Sequence, residues 1–160
     1  HGALAAADRS VRVLTPYFLP DQTLVTALNL AALRGVTVDV LIPAENNLRI
    51  VGWAMLHQIR QVLKFGCRVW ITPPPFDHSK LTVVDELWTL FGSANWDPRS
   101  LRLNFEFDVE AYDDDFAARA EAEIRRKMDA ARRLTLEEVD AWSWPRRIRN
   151  GLAWLGSPYL

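Results

Sequence analysis

The chain has 160 residues, of which 49% are hydrophobic, 24% charged and 11% aromatic, the composition of one globular domain with a single sizeable core. The apolar fraction is too high and the net charge of -1 too low for a disordered chain, and a pI near 6.3 argues against a dedicated nucleic-acid binder. The single cysteine, Cys67, excludes an intrachain disulfide framework and fits a reducing compartment; no apolar run approaches the roughly 20 residues of a bilayer span. The start, His1-Gly2-Ala3, has no signal-like pattern and reads as the cut end of a longer chain.

Taken in chain order, short apolar runs alternate with longer amphipathic stretches. Val11–Thr15 reads as a strand closed by Pro16. Asp21 is an N-cap candidate for a helix in which Leu24, Val25, Leu28, Ala31 and Ala32 recur at helical spacing, with Gly35 as its stop. Thr37–Ile42, rich in β-branched residues and ended by Pro43, predicts a second strand; Leu48–Lys64 a helix stopped by Gly66; Cys67–Ile71 a third strand. This order predicts a parallel sheet covered by helices. Beyond Pro73-Pro74-Pro75 the pattern changes. His78–Val84 and Leu87–Phe91 read as closely spaced strands, and Asn104–Ala111 as another, so antiparallel neighbours extend the sheet. Asp113-Asp114-Asp115 opens a helix expected to reach Arg133, with Arg132-Arg133 complementing its dipole. Thr135-Leu136-Glu137-Glu138 has the form of a capping box opening one more helix. The predicted class is α/β, with domain limits at 1–133 and 134–160.

The chemistry concentrates in His78–Asn95, HSKLTVVDELWTLFGSAN. On a strand His78 and Lys80 share a face. An ammonium beside an imidazole disfavours a metal but suits an anion: lysine neutralises a phosphate oxygen while imidazole attacks phosphorus or protonates a leaving oxygen. Gly92-Ser93-Ala94-Asn95 offers backbone amides, the Ser93 hydroxyl and the Asn95 amide as donors to phosphate. In Asn104–Asp108, alternation predicts Phe105, Phe107 and Val109 on an apolar face, and Asn104, Glu106 and Asp108 on a polar face able to fix the histidine's second nitrogen.

His78, Lys80, Asp85, Gly92, Ser93 and Asn95 fill every specified position of H-x-K-x-x-x-x-D-x-x-x-x-x-x-G-S-x-N, the HKD motif. The chain thereby resembles the phospholipase D superfamily. The segments Thr15–Asp21, Arg34–Val36, Leu41–Pro43, Ser93–Ser100, Leu103–Glu106 and Ser157–Leu160 extend the likeness to the C-terminal half of bacterial cardiolipin synthases. The resemblance implies a mixed β-sheet flanked by helices with a C-terminal helical extension, and a phosphohistidine mechanism that uses no metal and no cofactor. It implies His78 as nucleophile or general acid, Lys80 and Asn95 gripping phosphate, Ser93 supporting that shell, Glu106 orienting the histidine, and Asp85, counted with the catalytic set, as a structural partner. It points to phosphatidyl transfer from phosphatidylglycerol, with hydrolysis by a phospholipase or nuclease, or an inert half-domain, as alternatives. Phe76-Asp77 before His78 and Trp96 after the motif depart from the family pattern.

Such proteins build one site from two motifs, and this chain has one; His57 is followed two positions on by Ile59. The expected partners are a phospholipid, a membrane surface and a second HKD-bearing half, from a homodimer mate or, preferably, an absent N-terminal half. In the latter case His78 protonates the leaving group. The implied location is the cytoplasmic side of the bacterial inner membrane, peripheral or within an anchored parent; no nucleic acid is expected.

Other residues carry quieter readings. His57 reads as structural or surface, Cys67 as packing, Lys64 and Arg68 as solvent-facing, Asp108 and Glu110 as surface or outer site residues. Tyr17 and Asp21 follow the first strand, where open α/β sheets place ligands, although Asp21 also serves as a plain N-cap. Arg99 and Arg102 either touch head-group phosphates or pair with Asp97 or Glu106. From Trp142 to Leu160, three tryptophans alternate with Arg146, Arg147 and Arg149 and no acid. That tail either faces an anionic lipid surface or packs on the domain as a final helix.

Overall fold

In a computed structural model of the protein, residues 1–156 are described; the Ser157–Leu160 likeness noted above lies outside them. The elements are α1 Gly2–Ala6, β1 Ser10–Leu14, α2 Gln22–Leu33, β2 Thr37–Pro43, α3 Arg49–Leu63, β3 Arg68–Thr72, β4 Leu81–Val84, β5 Trp88–Gly92, α4 Pro98–Arg102, β6 Asp108–Tyr112, α5 Asp114–Asp129, β7 Arg132–Leu134, α6 Leu136–Asp140 and α7 Trp144–Leu155. Gly35 and Gly66 end α2 and α3 at φ +96° and +98°, where a side chain would clash with its own backbone.

One sheet of seven strands runs β6-β5-β4-β1-β2-β3-β7. β1, β2 and β3 are parallel, as the alternation of runs predicts, and every other pairing is antiparallel. The larger core lies on the face covered by α2 and α3, with Phe18, Leu28, Val40, Met55 and Ile59 fully buried. α5 covers the other face, where Ala117 and Ile124 pack on Leu14, Leu41 and Val83.

Three sequence expectations change. The α5 helix stops at Asp129, and Arg132–Leu134 forms β7 against β3, so Arg126 and Lys127, not Arg132-Arg133, occupy its last turn. The 133/134 boundary falls inside β7, and Leu134, Val139 and Ala153 belong to the core that also holds α2 and α3. Asn104–Phe107 is not strand: β6 begins at Asp108, and Phe105 and Phe107 are exposed.

The α5 face hides a charged network. Arg12 on β1 contacts Glu121 of α5 and lies 3.5 Å from Asp39 on β2. Asp39 accepts from Arg68 Nε and Nη2 at 2.7 and 2.6 Å and from Trp70 Nε1 at 2.7 Å. Arg68, expected in solvent, thus has a fully buried partner. Such charges lie in a core only because each meets an opposite one.

Candidate active site

His78 and Lys80 sit in extended chain just before β4, not within it. They still converge. Lys80 Nζ lies 3.1 and 3.2 Å from the two ring nitrogens of His78 and donates to the His78 carbonyl at 2.8 Å. Tyr17, from the loop after β1, meets the His78 ring edge-on at 6.2 Å, and Phe76 lies 5.7 Å away, centroid to centroid. Asp77 fixes this approach by accepting from Ser79 N at 2.9 Å and pairing with Lys127 of α5. Phe76-Asp77, the departure from the family pattern, therefore packs beside the histidine and ties its loop down.

The second wall is the loop after β5. Gly92 is required by close approach: a Cβ there would collide with Asp108 and the Phe107 carbonyl. Ser93 N donates to Phe107 O at 3.0 Å and Ala94 N to Asp108 Oδ1 at 3.1 Å. Those two amides, offered by the sequence as phosphate donors, are already taken. The Ser93 hydroxyl donates to Glu106 at 2.5 Å and accepts from Phe107 N at 2.9 Å. Asn104 Nδ2 holds the other Glu106 oxygen at 3.1 Å. Ser93 thus fixes Glu106. Among the described residues Glu106 makes no hydrogen bond to His78.

Asn95 Nδ2 donates to Ser100 Oγ at 3.3 Å, while its Oδ1 is buried without a partner among the described residues. Asp97, which sequence reading considered only as an ion-pair partner, caps α4 by accepting from Ser100 N at 2.8 Å; the Asp-Pro step at 97–98 was the available signal. Trp96 stacks on Phe18 at 6.2 Å, and its carbonyl accepts from Leu19 N at 2.7 Å, joining this loop to the one bearing Tyr17.

Charge binds the two walls electrostatically. Burial, and then the positive charge of Lys80, hold His78 below the ordinary histidine value. Burial lowers Lys80 too, against the opposing pull of Glu106, Asp97 and Asp77. The Ser93 hydrogen bond leads the effects that hold Glu106 low, with Lys80 contributing. An imidazole held below its ordinary value thus lies beside a lysine whose charge Glu106, Asp97 and Asp77 favour.

Asp85 lies elsewhere, at the far end of β4 and about 14 Å of strand from the Lys80 end. Its carboxylate accepts from Asp8 N, Arg9 N and Ser10 N at 2.8, 2.8 and 2.7 Å. It is a clamp on the start of β1, and its grouping with the catalytic residues holds only in the motif. Asp21 is the N-cap of α2, and Arg102 pairs with it at 2.7 Å instead of with Asp97 or Glu106. Arg99 is exposed. His57 stacks on Trp154 at 5.0 Å, and Cys67 is buried, its thiol pushed up to about 12 by burial, as a packing residue should be.

The family described as cardiolipin synthase, PLD-like domain matches residues 2–128, the span that carries this geometry. The chain belongs to this family. It is 37% identical over 157 residues to the major cardiolipin synthase ClsA of Bacillus subtilis, covering 98% of this chain and 33% of that protein. It is 38% identical over 158 residues to cardiolipin synthase A of Pseudomonas putida W619, covering 99% of this chain and 33% of that one. The chain spans about a third of the length of these curated relatives. In fold it matches Nuc of Salmonella typhimurium, a phospholipase D family member, with a TM-score of 0.73 at 21% identity over 84% of this chain and 87% of that one. A phosphatidylserine synthase of Haemophilus influenzae gives 0.76 at 18% identity over 99% of this chain and 43% of that one. The PLD-like fold is thus the frame of the site. As a member of this enzyme family, the domain is cardiolipin synthase-like.

Proposed function

We propose that the chain is one half of a phosphatidyltransferase that makes cardiolipin from phosphatidylglycerol by way of a phosphohistidine. The observation that carries this is near-full-length likeness to cardiolipin synthases combined with an assembled His78–Lys80 pair. Lys80 neutralises a non-bridging phosphate oxygen. Asn95, held by Ser100 at the end of the same loop, is the motif residue to which the family likeness gives a second phosphate oxygen. Phosphoryl chemistry asks the protein mainly for such positioning and charge compensation.

The second half supplies a second histidine. Its ring nitrogen attacks phosphorus, forming a P–N bond as the P–O bond to glycerol breaks; His78 gives that oxygen its proton. Burial first and the charge of Lys80 second hold His78 low, and a negative phosphodiester beside Lys80 opposes the second of these. In the return step His78 takes the proton of the acceptor hydroxyl of a second phosphatidylglycerol, whose oxygen displaces the histidine. Leu101, Leu103, Phe105 and Phe107, exposed beside Glu106, supply an apolar surface for the second half.

The test uses the full-length parent with phosphatidylglycerol and lipid analysis. Cardiolipin is expected, and His78→Ala should lower its formation by a factor of about 10²–10⁴, the range for lost acid–base catalysis. Phosphatidic acid as sole product would assign hydrolysis instead. Undiminished activity in His78→Ala would remove His78 from the site.

A further inference from the structure

α7 is packed inside out. A helix on a protein surface ordinarily turns its apolar side to the core. Here Asn150, Ala153 and the half-buried Arg149 and Trp154 face inward, while Trp144, Ile148, Leu152 and Leu155 are 75%, 52%, 64% and 66% exposed. With about 100° per residue, those four side chains fall within an arc of about 80° on one face. Arg147 and Arg149 stand about 60° to either side of that arc.

The inner side explains why the helix nonetheless stays. His57 stacks on Trp154, Arg149 lies 4.5 Å over the Trp53 ring, and Arg146 lies 4.0 Å over Trp142. Arg49, Arg146 and Arg149 line a cleft of about 1190 Å³ between α3 and α7, where Arg132 and the carboxylates of Glu45 and Glu138 also lie. Among the described residues none of Arg49, Arg146 and Arg149 makes an ion pair with a carboxylate. From Ala141 to Gly156 the chain has no acid.

The cleft connects to the catalytic edge. Tyr17, in contact with His78, hydrogen-bonds through its hydroxyl to Asn47, two residues before Arg49. Leu48 and Ile50 are exposed at the same start of α3.

The geometry points to the outer face of α7 as the surface by which this domain docks on an anionic phospholipid bilayer. Trp144, Ile148, Leu152 and Leu155 enter the acyl boundary, and the exposed Arg147, with Arg49 and Arg146 at the cleft, meets lipid phosphates. No helix among the described residues is long and apolar enough to cross a membrane; α7, about 18 Å long, lies in the interface plane. The choice of a bilayer over a protein partner rests on charge: an apolar stripe beside the exposed Arg147, in a segment with no acid from Ala141 to Gly156 and with a tryptophan at one end, fits a surface that is apolar within and anionic at its rim.

The test is flotation of the purified chain with vesicles of phosphatidylglycerol and phosphatidylcholine in equal parts, against phosphatidylcholine alone. Binding is expected to the former and not to the latter. Ile148→Glu with Leu152→Glu should weaken it about tenfold or more, with the thermal melt unchanged because both residues are exposed. A conservative measurement covers loss of fold: brominated phosphatidylglycerol should quench tryptophan emission, and Trp144→Phe should remove much of that quenching. Absence of flotation, undiminished binding by the double variant, loss on Phe105→Ser instead, or self-association relieved by the α7 variant would each overturn the assignment. Flotation involves no turnover, so its outcome is read independently of the cardiolipin assay that tests the catalytic reading.

Discussion

Lys80 sets the working state of His78. Its ammonium touches both ring nitrogens, and after burial its charge is the main influence that lowers the histidine. Removing it should let the imidazole hold its proton to higher pH. NMR titration of the ring protons in Lys80→Met should give a higher midpoint than in wild type; an unchanged or lower one would mean that burial alone governs His78. The pairing of His78 with Lys80 was legible because HKD spacing is fixed along the chain. What the spacing could not convey is the wiring: that Ser93 spends its hydroxyl on Glu106, that two loop amides are already bonded, and that Arg102 reaches back to Asp21. Each depends on loops that meet only in three dimensions.

At the scale of elements, the β4–β5 hairpin shows how a motif residue serves the site without touching it. Asp85 and Glu86 take φ of 55° and 58°, a turn conformation that Asp tolerates better than most residues. The Asp85 carboxylate gathers three amides ahead of β1. Asp85→Ala should cost about 1–3 kcal/mol by leaving those donors unmet, measured by urea unfolding. Burial pushes Asp85 up, but the amides of Asp8, Ser10 and Arg9 outweigh it and hold the group below its ordinary 3.8. Its stabilisation is complete above the unfolded carboxylate value and is lost as pH falls through the folded one. The gap between wild type and variant should therefore close below about pH 4. The parallel strands and their helices were readable because each is a continuous apolar run bounded by Gly or Pro. β7 was not, since Arg132-Arg133-Leu134 has no alternation and owes its conformation to β3. Phe105-Glu106-Phe107 misled in the opposite sense: it alternates like a strand, yet its amide and carbonyl groups serve the Ser93 loop.

For the molecule as a whole, two apolar surfaces have no cover among the described residues, and the proposals give them different occupants. α7 is assigned to the bilayer, the Phe105–Phe107 region to the second catalytic half. Phe105→Asp with Phe107→Asp should lower cardiolipin formation by the full-length parent at least about tenfold, as loss of two aromatic anchors from an interface does, while the melt of the 160-residue chain stays unchanged. Full activity in that variant would free this surface from the role. The composition indicated one globular domain; the arrangement of the same residues leaves apolar side chains exposed on α7 and at Phe105–Phe107.

The end of the sheet is the exception. β6 closes one edge with Asp108, Glu110 and Tyr112 exposed, and Asp113, Asp114 and Asp115 follow directly. Glu110 accepts from Trp88 Nε1 and from the Tyr112 hydroxyl at 3.0 and 3.1 Å, so its charge is held at the rim. An open strand edge is a template on which identical chains can polymerise, and acidic side chains along it make each added copy repel the last. Acidic side chains on this border therefore oppose strand addition by a second copy, independently of what covers the two apolar faces.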